Sequence, residues 1–441
     1  MNPQRFLRLV SGAMAALGIS AAAIVALNLR GEDPLPSAET LKPTPALVAQ
    51  GEYLTRVGNC MACHTVQGGA PFAGGRGIET PFGVVYSSNL TPDKATGLGA
   101  WTSAEFWRAM HNGRGKDGRL LYPAFPYTSY THVTREDSDA IFAYLQSLPP
   151  VAQANKAHAL RFPYSTQAAL GVWRALFFTP ADVAQPAASA PQALATAQVP
   201  DYQRGAYLVN GLGHCAACHT PRNSLGAEQQ GQALAGGLIP VQNWLAPALT
   251  DAGQAGVQRW PQADVVALLK TGVAPQASVI GPMAEVVFRS TQYLSDADAR
   301  AMAVYLQALP QHAATPAKQA VAPVSVMERG AKVYEAQCAQ CHGAQGQGAK
   351  DEAGQPAFPP LAGNRAVVLA DPTNLVRVVL QGGYLPATAG NPRPHGMPPF
   401  QHLLGDEDVA AVATFVRNSW GNQAAGVGTI EVYRARERRT P

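Results

Sequence analysis

The chain has 441 residues and a formal net charge of +4, from 33 Lys+Arg against 29 Asp+Glu. At roughly 150 residues per domain this length predicts about three domains, and an apolar content of 47% is ordinary for a globular protein. So small a charge, with no basic stripe interleaved with aromatics, gives no case for nucleic acid as a partner.

Residues 1–33 read "MNPQRFLRLVSGAMAALGISAAAIVALNLRGED". Leu9 to Leu29 carries no charge and is close to the ~20 residues needed to cross a bilayer. Arg5 and Arg8 precede it, so the positive-inside rule puts the start of the chain in the cytoplasm. A cleaved secretory signal competes with this reading, because Ala21-Ala22-Ala23 offers a small-residue cleavage site. The apolar run continues through Leu29, which favours an uncleaved anchor. Either way the body is exported, to the periplasmic side of the cell inner membrane.

Six cysteines come next, in three pairs: Cys60/Cys63, Cys215/Cys218 and Cys338/Cys341. Each pair is followed directly by a histidine, His64, His219 or His342, in "CMACH", "CAACH" and "CAQCH". CxxCH is the attachment signature of c-type haem. Two thiols add to the haem vinyl groups and the adjacent histidine binds iron from the proximal side. Zinc would need four ligands at each site, and no cysteine is left over. A thioredoxin-like dithiol needs no histidine there. The expectation is three covalently bound haem c groups.

The chain repeats itself around these motifs. Helix-like stretches open the units, "QGEYLTRVGNCMACH", "RGAYLVNGLGHCAACH" and "RGAKVYEAQCAQCH", and others close them, "SDAIFAYLQSLP", "DARAMAVYLQALP" and "EDVAAVATFVRNSW". Asp, Ser or Thr precedes each closing helix as a cap. Tyr144, Tyr305 and Phe415 hold the same place in the closing helices, where each is expected to pack on the opening helix. A middle helix lies between, "SAEFWRAMHNG", "QADVVALLKTG" and "TNLVRVVLQGG", ended by Gly113, Gly272 and Gly383. The boundaries this gives are an N-terminal membrane anchor or signal segment over 1–33, units over 45–150, 201–310 and 326–422, linkers over 151–200 and 311–325, and a C-terminal tail over 423–441. The first linker holds an aromatic stretch, "FPYSTQAALGVWRALFFTP", suited to packing, before an Ala/Pro-rich spacer. The basic tail reads as surface-lying.

A haem that only passes electrons usually has both axial positions filled, and methionine as the second ligand raises the potential. Met283, in "VIGPMAEVV", and Met397, in "PHGMPPF", stand in Gly/Pro-framed loops just before a closing helix and are assigned to the second and third sites. In the first unit the corresponding position, about twelve residues after Gly113, is Phe125 in "PAFPY". Phenylalanine has no lone pair for iron. Met61 lies on the attachment side. Met110 aligns with Leu269 and Leu380 and reads as a buried helix position, and His111 aligns with Lys270 and Gln381 on an exposed face. His132, asparagine or backbone ligation stay open.

These residues carry a resemblance. "RGAYLVNGLGHCAACHTPRN", "GPMAEVVFRSTQYLSDADARAMAVYLQALP" and "PPLAGNRA…HGMPPF…VATFVRNSWGN" resemble the three-haem cytochrome c subunit of bacterial membrane-bound dehydrogenases, over roughly residues 45–425. The resemblance implies an all-α chain of three tandem class I cytochrome c domains beside an N-terminal transmembrane helix. It implies no catalytic residue on this chain, a catalytic dehydrogenase subunit as partner, and ubiquinone in the membrane as electron acceptor. Members of the family serve quinoprotein or flavoprotein alcohol and sugar dehydrogenases. The "AFPY" form with an anchor is similar to cytochromes paired with molybdopterin and iron–sulfur aldehyde or N-heterocycle dehydrogenases. Two other functions compete: a terminal-oxidase cytochrome subunit, against which three haems argue, and a peroxidase-like enzyme using the first haem, against which the apolar Phe125 argues.

Overall fold

The computed structural model describes residues 3–32, 34–35, 41–185, 187–311, 322–352, 354 and 356–437. Most of the predicted linker 311–325 therefore lies outside the described residues, as does the end of the tail. The chain divides into two compact units. One holds the start of the chain, 60–185 and Ser224–Ala227; the other holds 56–59, 186–223 and the rest.

In the first unit the N-terminal helix Pro3–Leu29 precedes an opening helix, Pro45–Val57, a middle helix, Ser103–Asn112, and a closing helix, Arg135–Ser147. The second unit holds two further sets. Their opening helices are Val199–Tyr207 and Val324–Gln337, their middle helices Gln262–Thr271 and Thr373–Gln381, and their closing helices Asp296–Gln307 and Asp406–Asn418.

Each opening helix crosses its closing helix at a glycine. A Cβ on Gly51 would lie 1.9 Å from the Ala140 carbonyl oxygen, on Gly205 2.0 Å from that of Ala301, and on Gly330 2.3 Å from that of Ala411. Only a residue without a Cβ lets the two backbones approach so closely. Beside the crossings stand the expected aromatics. Tyr144 meets Phe72 edge-on at 6.2 Å, Tyr305 meets Tyr202 at 5.2 Å, and Phe415 meets Tyr334 at 5.6 Å. The last two pairs join opening and closing helices directly.

Capping follows the sequence at most ends. Thr102 and Glu105 form a reciprocal capping box on the first middle helix. Thr134 and Ser295 accept from Asp137 N–H and Asp298 N–H at two closing helices. The third closing helix starts at Gly405 without a side-chain cap, so the acidic residues after it act on the helix dipole instead. Gly113 and Gly272 end their helices in the left-handed conformation as expected. The third middle helix ends one residue early, at Gly382, because Gly383 opens a strand.

The chain is helix-rich but not purely α. Short antiparallel strands join the helices, the longest pair being Gly77–Thr80 with Gly83–Tyr86, to which Ala159–Leu160 of the first linker adds. These pairings arise where glycine-rich loops double back and satisfy each other's backbone groups. The tail also departs from expectation. Thr429–Glu437 is a helix whose Val432 and Ala435 pack into one core with Val376, Leu380 and Val409, and Arg436 pairs with Asp406 at 2.8 Å. Its basic residues masked an apolar face at i and i+3.

Three candidate haem sites

The three CxxCH motifs each form one short helical turn, over Cys60–His64, Ala216–His219 and Ala339–His342. Helical spacing puts the two cysteines, at i and i+3, and the histidine after them on one side of the turn. All three histidines are fixed in the same way. Nδ1 of His64 lies 2.7 Å from the Ser88 carbonyl oxygen, that of His219 2.7 Å from Pro247, and that of His342 3.0 Å from Pro359. A backbone carbonyl can only accept, so Nδ1 carries the proton and Nε2 keeps its lone pair for a metal. Burial lowers the pKa of each imidazole, which favours the neutral, ligating form.

The first thiol of each motif is shielded as well. Burial, with the neighbouring cysteine second, pushes Cys60 and Cys215 up to about 12 and Cys338 to about 11. Burial also raises Cys218. Among the described residues no group of three or more His, Cys, Asp or Glu is gathered as a metal cluster. Two thiols and one oriented imidazole at each site fit covalent haem better than a thiolate-bound ion.

The third site shows an apolar pocket. Cys338, His342, Pro359 and Met397 line one cavity with Leu361, Val379, Phe400 and Leu404. A thiol, an imidazole and a methionine thioether thus line a single space. Cys341 is half-buried, as Cys338 is. Met397 is placed by a short ladder, Gly383 with Met397 and Tyr384 with Gly396, so it sits on a strand rather than in a free loop. Ser278 and Ile280, from the preceding repeat, complete the wall.

Met283 is half-buried in the first turn of the helix Pro282–Arg289, not in a loop. The reason is local: Pro282 pre-sets the first helical position, and Gly281, at φ +57°, turns the chain into it. A Cβ on Gly281 would meet the Trp244 indole at 2.8 Å, so glycine is required there. In the same repeat Tyr305 exchanges hydrogen bonds with Asn210, and the nearby Cys215 contributes to its raised pKa, after burial.

At the first site the Phe125 ring stands 5.4 Å from that of Tyr130. Tyr130 is buried, and its pKa is raised by burial and then by Cys60 and Cys63. The loop bearing Phe125 is therefore brought up to the attachment cysteines. Met110, Leu269 and Leu380 are all buried on their middle helices, as the alignment predicts. His111 is not on an exposed face: it is buried and stacks on Trp107 at 4.5 Å with 12° between rings. The neighbouring aromatic covers what lysine or glutamine leaves open in the other repeats. His132 is half-buried just after the short helix Tyr127–Tyr130.

The carbonyls that orient the histidines escaped the motif reading, although a trace was present. Ser88, Pro247 and Pro359 each stand two residues before a leucine, Leu90, Leu249 and Leu361, in segments that recur along the chain.

The sequence profile described as "Cytochrome c" matches residues 48–149, 202–310 and 327–420. The chain is 39% identical to the alcohol dehydrogenase (quinone) cytochrome c subunit of Gluconacetobacter polyoxogenes, over 89% of this chain and 84% of that one. It is 39% identical to the gluconate 2-dehydrogenase cytochrome c subunit of Pantoea cypripedii, over 88% of each. It is also 40% identical to a nicotinate dehydrogenase subunit of Pseudomonas putida, over 85% of this chain and 30% of that longer one. With haem-attachment motifs, oriented histidines and these relatives in agreement, the chain belongs to the cytochrome c family.

Proposed function

We propose that this chain is the electron-transfer subunit of a membrane-bound periplasmic dehydrogenase complex, taking electrons from a catalytic subunit that oxidises an alcohol, aldehyde or sugar and delivering them to ubiquinone. Three haem c groups, one per repeat, would each supply a one-electron Fe(III)/Fe(II) couple. The carrying observation is the threefold recurrence of one arrangement: a CxxCH turn whose histidine is oriented by a backbone carbonyl. The two cysteine thiols of each turn would hold the group, the histidine Nε2 would ligate iron, and Met283 and Met397 would offer sulfur at the second and third sites. Phe125 offers no sulfur, so the first site differs from the others. We assign no substrate chemistry to the chain; relatives named as subunits of alcohol, gluconate and nicotinate dehydrogenases support a separate catalytic partner.

The N-terminal helix supports an inner-membrane location. Leu9–Leu29 is long and apolar enough to cross a bilayer, with a mean hydropathy of 2.1. Bonds at its C-terminal end support its retention. Asn28 accepts from buried Arg174 at 3.0 Å and donates to the Gly171 carbonyl at 2.9 Å, while Glu32 pairs with Arg114. A leader removed on export would leave Arg174 short of a partner.

The test is purification of the native complex. The chain should exceed its polypeptide mass by three haem groups, begin upstream of Asn28, and co-purify with a subunit holding a quinone, flavin or molybdopterin cofactor. One or two haems, or no dehydrogenase partner, would overturn the proposal.

A further inference from the structure

The helix Gln167–Phe177 carries apolar residues on its exposed side as well as its buried one. Leu170, Gly171 and Arg174 are buried against the first unit. The outward residues are Gln167, which is tied to the Leu120 backbone, and then Ala168, Val172 and Leu176, at i, i+4 and i+8, with Val172 43% and Leu176 60% exposed. Arg174, its one charged residue, points inward. A helix on a water-facing surface carries polar residues outward along its length, and an outward row that is apolar beyond the first residue calls for a second apolar neighbour. Just before it, Phe162 is 84% and Tyr164 38% exposed.

The position of the helix says what that neighbour is. It crosses the N-terminal helix near the end of the apolar span: a methyl on Gly171 would lie 3.8 Å from Asn28 Nδ2 and 3.9 Å from Ile24 Cγ2. Ile24 to Asn28 precede Leu29 by one to five residues, which at about 1.5 Å per residue is a depth of roughly 2–8 Å below the end of the span. Interfacial amphipathic helices bury their apolar face about 5–10 Å into the headgroup and acyl boundary. Aromatic residues such as Phe162 and Tyr164 suit that level, where Tyr and Trp are enriched. The helix is held there by the Asn28 bonds and by Arg30, which donates to the Phe178 carbonyl.

We propose that Gln167–Phe177, with Phe162 and Tyr164, is a second membrane contact, lying in the outer lipid interface beside the N-terminal helix. This rests on the reading of that helix as a membrane anchor. The two contacts fix the orientation of the first unit instead of tethering it. The same element supports the Phe125 loop: Phe178 meets Tyr127 edge-on at 4.9 Å and the Arg174 guanidinium lies 5.3 Å from the Tyr127 ring. The first haem site is thereby the one built on the membrane-facing element of its unit.

The native complex in nanodiscs of phosphatidylcholine bearing an acyl-chain diazirine is irradiated, digested and mapped by mass spectrometry. Adducts are expected on the N-terminal helix and on residues 162–177. Val172→Asp with Leu176→Asp should lower adducts on 162–177 at least about fivefold, leave those on the N-terminal helix unchanged, and leave the haem spectrum intact. Adducts on the N-terminal helix alone would overturn this inference while sparing the anchor, and would mean that water or the catalytic subunit covers the face. Unchanged labelling in the double variant would overturn it as well. Adducts on neither segment would overturn both readings.

Discussion

Replacing Gly205 with alanine tests the helix crossing on which each repeat depends. The added Cβ would lie 2.0 Å from the Ala301 carbonyl oxygen and 2.7 Å from Tyr305 Cβ. An ordinary carbon–oxygen contact needs about 3.3 Å, so the helices would have to part by about 1.3 Å. That movement loosens the Tyr202–Tyr305 contact and the closing-helix core around it. Overpacking of this kind costs about 1–3 kcal/mol, against a gain of about 0.5–1 kcal/mol from alanine in a helix. At mid-range the net loss is about 1 kcal/mol. At about 4–8 °C per kcal/mol for a domain near 100 residues, the melting temperature should fall by roughly 4–8 °C. The assay is thermal unfolding followed by Soret circular dichroism of the haem-loaded protein. Gly12→Ala is the control, since nothing lies within 4 Å of its Cβ position. A Gly205→Ala protein as stable as wild type would refute the close crossing, and with it the equivalence of Gly51, Gly205 and Gly330.

Met283→Leu and Met397→Leu should each remove about half of the sulfur-to-iron absorption band at the red end of the oxidised spectrum, whereas Met110→Leu should leave it unchanged. Phe125→Met should add a further share of that band and raise one potential in a redox titration, because methionine favours Fe(II); no new band would mean that the Phe125 loop does not reach iron. Val432→Asp puts a charge into a fully buried site and should destabilise the third repeat by about 3 kcal/mol or more, read as an earlier unfolding step in denaturant; an unshifted transition would show that the tail helix is dispensable. Arg174→Met removes the donor to Asn28 and the Asn112 carbonyl, a loss of about 1–3 kcal/mol. Limited proteolysis should then cut between Leu29 and Pro45 faster than in wild type.

The cofactor chemistry could be read from six cysteines because covalent haem attachment is local: Cys, Cys and His within five residues need only one helical turn to face one way. The repeats could be read for the same reason, since helix periodicity, caps and the recurring aromatic are properties of short segments. Met110 is buried where its alignment with Leu269 and Leu380 put it. The failures involve orientation and partners distant in sequence. His111 is buried because Trp107 covers it, and the basic tail is a core helix because Val376, Leu380 and Val409 leave room for Val432. Met283 and Met397 are assigned from spacing, but the Trp244 contact that demands Gly281 and the ladder that holds Met397 come from packing. The histidine-orienting carbonyls lie 17 to 28 residues from their imidazoles, and a backbone acceptor leaves no side-chain signature. Local chemistry was thus determined by the sequence alone. Tertiary structure decided which backbone atoms orient that chemistry, and it joined Asn28 to Arg174 across 146 residues, because burial and close approach depend on what the rest of the chain brings alongside.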